Sequence, residues 1–256
     1  MTGFAVLLRK ELAEAWQTRR LPVVAGLFIV IGMISPLTAR YLREILQAAL
    51  GDQLTIPIPA PTAMMAVEQL QKNLAQLGAL AAIALAMGSV SGELDRGTAA
   101  LVLAQPVSRA AFISAKLAAL AIVLGISVGL AAVSAWIYTG VLFEPPPIGG
   151  WLAMTVLSWL ALCVWAALTF LASAATGSTT LAAGLGFVAL VAISLGAIVP
   201  ALDRLLPTGL ATPAIVLASG ETGLNAGALV TAVAGSVVLI AASLGGAILA
   251  FRRREL

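Results

Sequence analysis

Five stretches of the chain contain no Asp, Glu, Lys or Arg, and this feature constrains the fold more than any other. They cover residues 21–39, 73–92, 117–143, 145–202 and 222–251. A helix of about 20 mostly apolar residues can cross the hydrocarbon core of a bilayer. Only 10% of the residues are charged and 61% are apolar, whereas soluble domains usually carry about a quarter charged residues. The sequence therefore predicts an all-α polytopic membrane protein.

The longest uncharged stretch, 145–202, has 58 residues and is long enough for two spans. The segment "TGSTT" at 176–180 divides it, because a glycine among clustered hydroxyls is typical of a turn. Glu11 and Glu14 lie ahead of the first span, so we expect a retained helix rather than a cleaved signal peptide with its short basic start. The prediction is a single transmembrane domain over 1–256 with spans at 21–39, 73–92, 114–142, 151–175, 181–199 and 226–251.

The basic residues are distributed unevenly between the two sides that six spans would create. Ten lie before span 1, between spans 2 and 3, or after span 6; the other four are Arg40, Arg43, Lys72 and Arg204. Since cytoplasmic loops carry the excess of Lys and Arg, we expect both termini in the cytoplasm and the chain in the cell membrane. This topology explains the basic clusters, and we expect no nucleic-acid partner.

Residues 1–20 predict an amphipathic helix on the membrane surface. Arg9 and Lys10 lie mostly on its polar side, and Trp16 suits an aromatic anchor at the boundary. Glu11 falls inside the apolar arc, so we predict that it snorkels or pairs with a nearby Arg; contact with a partner is the alternative. The apolar arc comprises Phe4, Leu7, Leu8, Leu12, Ala15 and Trp16.

Two outer segments interrupt the spans. In 40–72, prolines at 57, 59 and 61 predict two short outer helices joined by an extended piece, either a substrate cap or a packed loop. In 200–227, three further prolines leave a re-entrant hairpin and a plain loop both open. The pairs Gly88–Gly92 and Gly125–Gly129 predict close helix approach.

The sequence lacks the residues that several kinds of protein function require. No charge lies deep in a predicted span, which argues against an ion-coupled transporter. The chain has no His and a single cysteine, Cys163, so we expect no catalytic, metal or cofactor site. It also lacks the G-x-x-x-x-G-K-[ST] phosphate loop. If ATP drives the protein, another chain must hydrolyse it.

The segment between spans 2 and 3 is the richest in charge and predicts a short transverse helix. Glu93, Asp95 and Arg96 begin it, where acids suit the helix dipole. A bend follows at Gly97 and Thr98, and "AALVLA" then runs up to Pro106. Ser108 is predicted to cap a new helix that passes Arg109 and Lys116 into span 3. The apolar face around Leu101 would rest either on the bilayer or in a groove of a soluble partner.

This loop resembles the first cytoplasmic loop of the permease subunits of type-2 ATP-binding-cassette exporters. "RKEL" at 9–12 on an amphipathic helix is also typical of them, and the overall plan is similar to the branch of bacitracin-export and nitrous-oxide-reductase-maturation permeases. The matching positions are Glu93, Gly97, Thr98, Leu101, Pro106, Val107, Ser108, Arg109 and Lys116.

The resemblance implies that the transverse segment is a coupling helix seated in a cleft of a separate ATPase. That partner would bind ATP and magnesium, with no cofactor in this chain, and two permease copies, identical or related, would form the path. The expected cargo is hydrophobic or amphipathic, and an extracytoplasmic accessory protein is compatible with the outer segments. Two alternatives remain: an ATPase-coupled scaffold that transmits force without transport, and a secondary transporter.

Overall fold

The computed structural model describes residues 3–50, 60–98, 104–105, 107–220 and 223–253. Within these ranges the regular elements are all helices, and no strand is present. Six helices are long and apolar enough to cross a membrane. The predicted fold class, an all-α polytopic membrane protein, is confirmed.

The six candidate spans each overlap one that the sequence predicts. They are numbered span 1 to span 6 in chain order: Arg20–Arg40, Ala63–Asp95, Arg109–Leu142, Ile148–Thr176, Thr179–Gly196 and Ala226–Arg252. An N-terminal helix, Phe4–Gln17, precedes them. Shorter helices lie at Leu42–Leu50, Pro200–Asp203 and Ala211–Ser219, with a 3₁₀ turn at Pro207–Leu210.

Span 2 begins ten residues earlier than predicted and is interrupted inside. It consists of Ala63–Asn73, a π-helical segment at Leu74–Gly78, Ala79–Met87 and a short last piece, Ser91–Asp95. The prediction of a separate outer helix before span 2 is therefore wrong, while the segment 51–59 with Pro57 and Pro59 lies outside the described residues.

The physical reason is an apolar face that charge counting misses. Lys72 and Glu68 end the uncharged stretch, yet Val67 and Leu70 are buried on the same helix. This first part of span 2, Ala63–Asn73, packs against span 1. Burial of that face extends the helix beyond the uncharged run.

Span 4 lies at the centre of the bundle and is the most buried of the six, whereas span 5 is the least buried. Span 4 contacts spans 2, 3, 5 and 6, and span 3 packs along span 1. Large side chains without solvent exposure fill the core, among them Phe28, Leu124, Met154, Leu162 and Phe170. The turn that divides spans 4 and 5 is as predicted: Gly177 has φ of 69° and the Ser178 hydroxyl accepts from the Leu181 amide.

Residues 200–219 form a folded hairpin packed against the first parts of spans 4 and 6 rather than a plain loop. Its Leu210, Ala214 and Ala218 are fully buried. The hairpin helix Ala211–Ser219 packs on span 4, and the 3₁₀ turn packs on span 6.

Glycines other than the predicted pairs allow the tightest helix contacts. A Cβ at Gly150 would overlap the carbonyl oxygen of Leu217, and one at Gly32 would overlap span 3 at Ala131. A Cβ at Gly129 would meet nothing within 4 Å, and one at Gly88 would lie 3.7 Å from the Thr179 methyl group. Close backbone approach at Gly88 and Gly129 was therefore a wrong expectation, because i, i+4 spacing does not identify which face meets a neighbour.

Candidate functional site

Three distant parts of the sequence meet at one end of the bundle, which we call the terminal end. They are the N-terminal helix, residues 91–98 with 107–116, and the end of span 6. Arg109 Nη1 donates to the carbonyl oxygens of Phe251 at 3.3 Å and Arg252 at 3.1 Å. The rings of Phe112 and Phe251 stack with centroids 5.4 Å apart. The start of span 3 is thus anchored to the end of span 6.

A group of five charged side chains ties the N-terminal helix to spans 2 and 3. Lys116 Nζ lies 2.7 Å from Glu93 Oε1 and 2.9 Å from Glu11 Oε2. Lys10 Nζ lies 3.0 Å from both Glu11 and Glu93, and 3.1 Å from Glu14. We call these residues the charge network.

The heart of the charge network is withdrawn from solvent. The side chains of Lys116 and Glu93 are 3% and 5% exposed, and that of Glu11 is 13% exposed. The ammonium of Lys116 also lies 5.1 Å from the centroid of the Phe112 ring, within the range of a cation–π contact. Because removal of one partner leaves a buried charge uncompensated, the network fixes the relative positions of the three elements that supply it.

Lys10 keeps its charge throughout the neutral range. Partial burial lowers the pKa of its ammonium, but the carboxylates of Glu11 and Glu93 raise it more, so the net pKa lies above the ordinary lysine value. Since the folded pKa is the higher one, the stability from Lys10 is present at neutral pH and is lost only as pH rises through that value.

The structure explains why Glu11 lies inside the apolar arc of the N-terminal helix, which the sequence alone could not. Its predicted partner was a nearby Arg or the membrane surface, but the structure pairs it with Lys10 and Lys116. Lys116 is 105 positions away in the sequence, so no local pattern shows the pairing. On the same helix Leu7 is buried, as the amphipathic pattern predicts, and Trp16 is 65% exposed.

The predicted coupling residues before the loop divide into an interior and an exterior group. Glu93 faces the charge network, and the Thr98 hydroxyl donates to the Glu93 carbonyl oxygen at 3.3 Å. Asp95, Arg96 and Gly97 are exposed. The Gly97 φ of 69° is in the left-handed region, as expected for the predicted bend.

The predicted residues after the loop are mostly in contact with the rest of the bundle. Val107 packs closely on Gly3. A Cβ added to Gly3 would lie only 2.6 Å from the Cγ1 methyl carbon of Val107. The Ser108 hydroxyl accepts from the Ala111 amide at 3.1 Å, which confirms it as the cap of span 3. Leu101 and Pro106 lie outside the described residues.

A cluster of hydroxyl groups, which sequence analysis did not single out, holds the last turn of span 2. The Ser173 hydroxyl accepts from the amides of Val90 and Ser91 at 3.3 and 3.0 Å. The Ser91 and Thr179 hydroxyls lie 2.9 Å apart. Thr179 belongs to the "TGSTT" segment, whose hydroxyls suggested only a turn. This hydroxyl clasp (Ser91, Ser173, Thr179) joins span 2 to spans 4 and 5.

The comparisons with known proteins agree with this architecture. A relative in Bacillus subtilis (strain 168), the uncharacterized transmembrane protein YxlG, is 27% identical over 211 residues, which cover 82% of this chain and 80% of the relative. Residues 5–256 match the family described as "ABC-2 family transporter protein". The chain therefore belongs to the ABC-2 transporter family and is a membrane permease component of an ATP-binding-cassette transporter.

Proposed function

We propose that this permease exports a hydrophobic or amphipathic substrate and is driven by a separate ATPase that binds the loop between spans 2 and 3. The observation that supports the proposal best is the bracing of both flanks of this loop. The charge network fixes its beginning to the N-terminal helix, and Arg109 fixes its end to span 6. A push on such a loop moves several spans together rather than bending the loop alone.

In the proposed mechanism ATP and magnesium are bound by the partner, and this chain converts the partner's motion into movement of spans. The apolar residues around Leu101 fill a cleft in the ATPase, with the exposed Asp95 and Arg96 at its rim. Glu93 and Lys116 are buried and act as positioning residues behind that contact. The hydroxyl clasp extends the movement from span 2 to spans 4 and 5.

The proposal includes the orientation and assembly inferred from the sequence. The terminal end faces the cytoplasm of a cell membrane, as the excess of Lys and Arg there favours. The N-terminal helix lies at the membrane surface, where the exposed Trp16 suits the interface. A second permease copy, identical or related, completes the path, and the plan fits the branch of bacitracin-export and nitrous-oxide-reductase-maturation permeases.

The substrate class is supported by polar but uncharged groups near the π-helical segment of span 2. The Ser158 hydroxyl donates to Gln71 Oε1 at 2.8 Å, with both side chains buried. A cavity of about 160 Å³ lies beside them and is also lined by Trp165 and Thr208. Apolar walls with a few neutral hydrogen-bonding groups suit an amphipathic molecule better than an ion.

Leu101→Asp is expected to abolish copurification with the partner ATPase, because a carboxylate cannot enter an apolar cleft without a partner. The matched control is Leu202→Asp on the outer hairpin, where the side chain is already 49% exposed. The control should keep the complex. Pull-down from membranes, with thermal unfolding to show that both variants fold, measures this, and an intact complex with Leu101→Asp would refute the contact.

Flux in sealed vesicles distinguishes the alternatives. ATP-dependent movement of an amphipathic dye that stops in Leu101→Asp supports an exporter. ATP hydrolysis that depends on the permease but moves no candidate substrate supports a scaffold, and flux driven by an ion gradient without any ATPase supports a secondary transporter.

A further inference from the structure

We propose that a groove between spans 1 and 2 binds an anionic phospholipid, with its phosphate at three arginines of the terminal end and an acyl chain along the groove. The arginines are Arg19, Arg20 and Arg96. The site shares Arg96 with the rim of the proposed ATPase contact, but lipid binding by the chain alone depends neither on that contact nor on the proposed direction of transport.

The shape of the groove suits a lipid tail. Its volume is about 670 Å³, which lies within the range of small-molecule sites. The groove opens along the side of the bundle, where Val23 is 68% and Leu27 45% exposed. Its apolar wall is formed by Val23, Val24, Leu27, Ala81, Ala84 and Leu85.

The charge of the groove is concentrated at one end. Arg19, Arg20 and Arg96 line it together with Thr18 and Thr179. Within the described part of the chain, no carboxylate forms an ion pair with these three arginines. Arg96 uses Nε to donate to the Gly92 carbonyl oxygen at 2.8 Å, which orients its guanidinium. Guanidinium groups bind phosphate through paired hydrogen bonds, and basic pockets between spans bind anionic headgroups.

The backbone at Arg19 indicates that the cluster is more than a topology signal. Arg19 has φ of 59°, which makes it the one non-glycine residue in the described ranges with a left-handed backbone. It forms the elbow between the N-terminal helix and span 1. An excess of basic residues for orientation needs no such geometry, whereas unfavourable backbone conformations concentrate at binding sites.

The groove also borders the charge network. Arg20, Leu85, Gly88 and Arg96 line the groove and, from the other side, a smaller cavity of about 40 Å³ that contacts Glu11, Glu93 and Lys116. A phosphate at the arginines would therefore lie next to the residues that brace the loop. The site links lipid composition to the end of the bundle where the three elements meet.

Native mass spectrometry of the full purified chain, titrated with phosphatidylglycerol or phosphatidylcholine, tests the site. The wild type should retain phosphatidylglycerol in preference to phosphatidylcholine. The variant R19Q/R20Q/R96Q should lose at least about tenfold in affinity for phosphatidylglycerol, since each basic residue near an anionic surface contributes roughly fivefold. The matched control R40Q/R43Q/R204Q removes the same charge from exposed arginines of the opposite end and should keep the preference.

A second variant separates the groove from general charge. Ala84→Trp fills the groove from its apolar wall, at an exposed position, and leaves all three arginines in place. This variant should bind phosphatidylglycerol more weakly than the wild type does. Glycerol phosphate, which has no acyl chain, should compete poorly with the lipid for the wild-type protein. The proposal fails if both lipids bind equally, if the control triple variant loses as much as R19Q/R20Q/R96Q, or if glycerol phosphate displaces the lipid completely at equal concentration. Thermal unfolding confirms that the variants fold.

Discussion

Lys116→Met is expected to lower the free energy of unfolding by about 3–5 kcal/mol, the cost of leaving a buried ion pair without one partner. Lys116 is the buried cation between Glu93 and Glu11, at 2.7 and 2.9 Å. Met fills a similar volume and keeps the contact with Phe112. The decrease in the free energy of unfolding therefore measures the effect of the missing charge rather than that of a cavity. Unfolding by sodium dodecyl sulfate in mixed micelles measures the change.

Two further variants show whether the charge itself is responsible. In Glu93→Gln/Lys116→Met an acid and a base disappear together, so the net charge of the network returns to its original value and most of the stability should return. Lys10→Met removes a cation whose side chain is 39% exposed, and solvent should compensate much of that loss. A double variant as unstable as Lys116→Met, or a Lys116→Met protein as stable as the wild type, would contradict the role of the network.

Gly150→Ala is expected to lower the free energy of unfolding by about 3 kcal/mol, the upper part of the usual range for overpacking. The added methyl group would overlap the carbonyl oxygen of Leu217 in the hairpin 200–219, and a backbone atom cannot turn aside as a side chain can. The hairpin should separate from the first turn of span 4. Limited proteolysis of the segment 200–225 in vesicles, together with thermal unfolding, measures both effects.

The neighbouring glycine provides the matched control. A Cβ at Gly149 would meet nothing within 4 Å, and Ala forms helices better than Gly by about 0.8–1 kcal/mol. Gly149→Ala should therefore be neutral or stabilising and should leave proteolysis of the hairpin unchanged. Equal effects at the two positions would show that helix propensity, and not contact with Leu217, governs this turn.

Most of the fold follows from counting charges, because a bilayer penalises each charge within a helix and so marks the ends of the spans. The method fails where burial inside the protein replaces burial in lipid. Span 2 continues past Lys72 since its first part packs on span 1 and buries Leu70 and Val67. Hydropathy also gives no sign of the π-helical segment at Leu74–Gly78.

The candidate site was only partly predictable. The sequence shows Glu93, Arg109 and Lys116 in one short segment and Glu11 in an unusual place on the N-terminal helix, but their partners lie far apart along the chain. The pairing of Glu11 with Lys116 and of Arg109 with the end of span 6 arises from tertiary packing. Leu101 lies outside the described residues, so its contact with an ATPase stays a prediction.

The contact of Arg109 and Phe112 with Phe251 has a consequence for biosynthesis. The loop between spans 2 and 3 is synthesised when fewer than half of the residues have been joined, yet its anchor belongs to span 6. During translation the early helices can insert, but this anchor cannot form until the final helix is made. An ATPase that selects the braced loop would thus ignore nascent chains and engage only finished permeases.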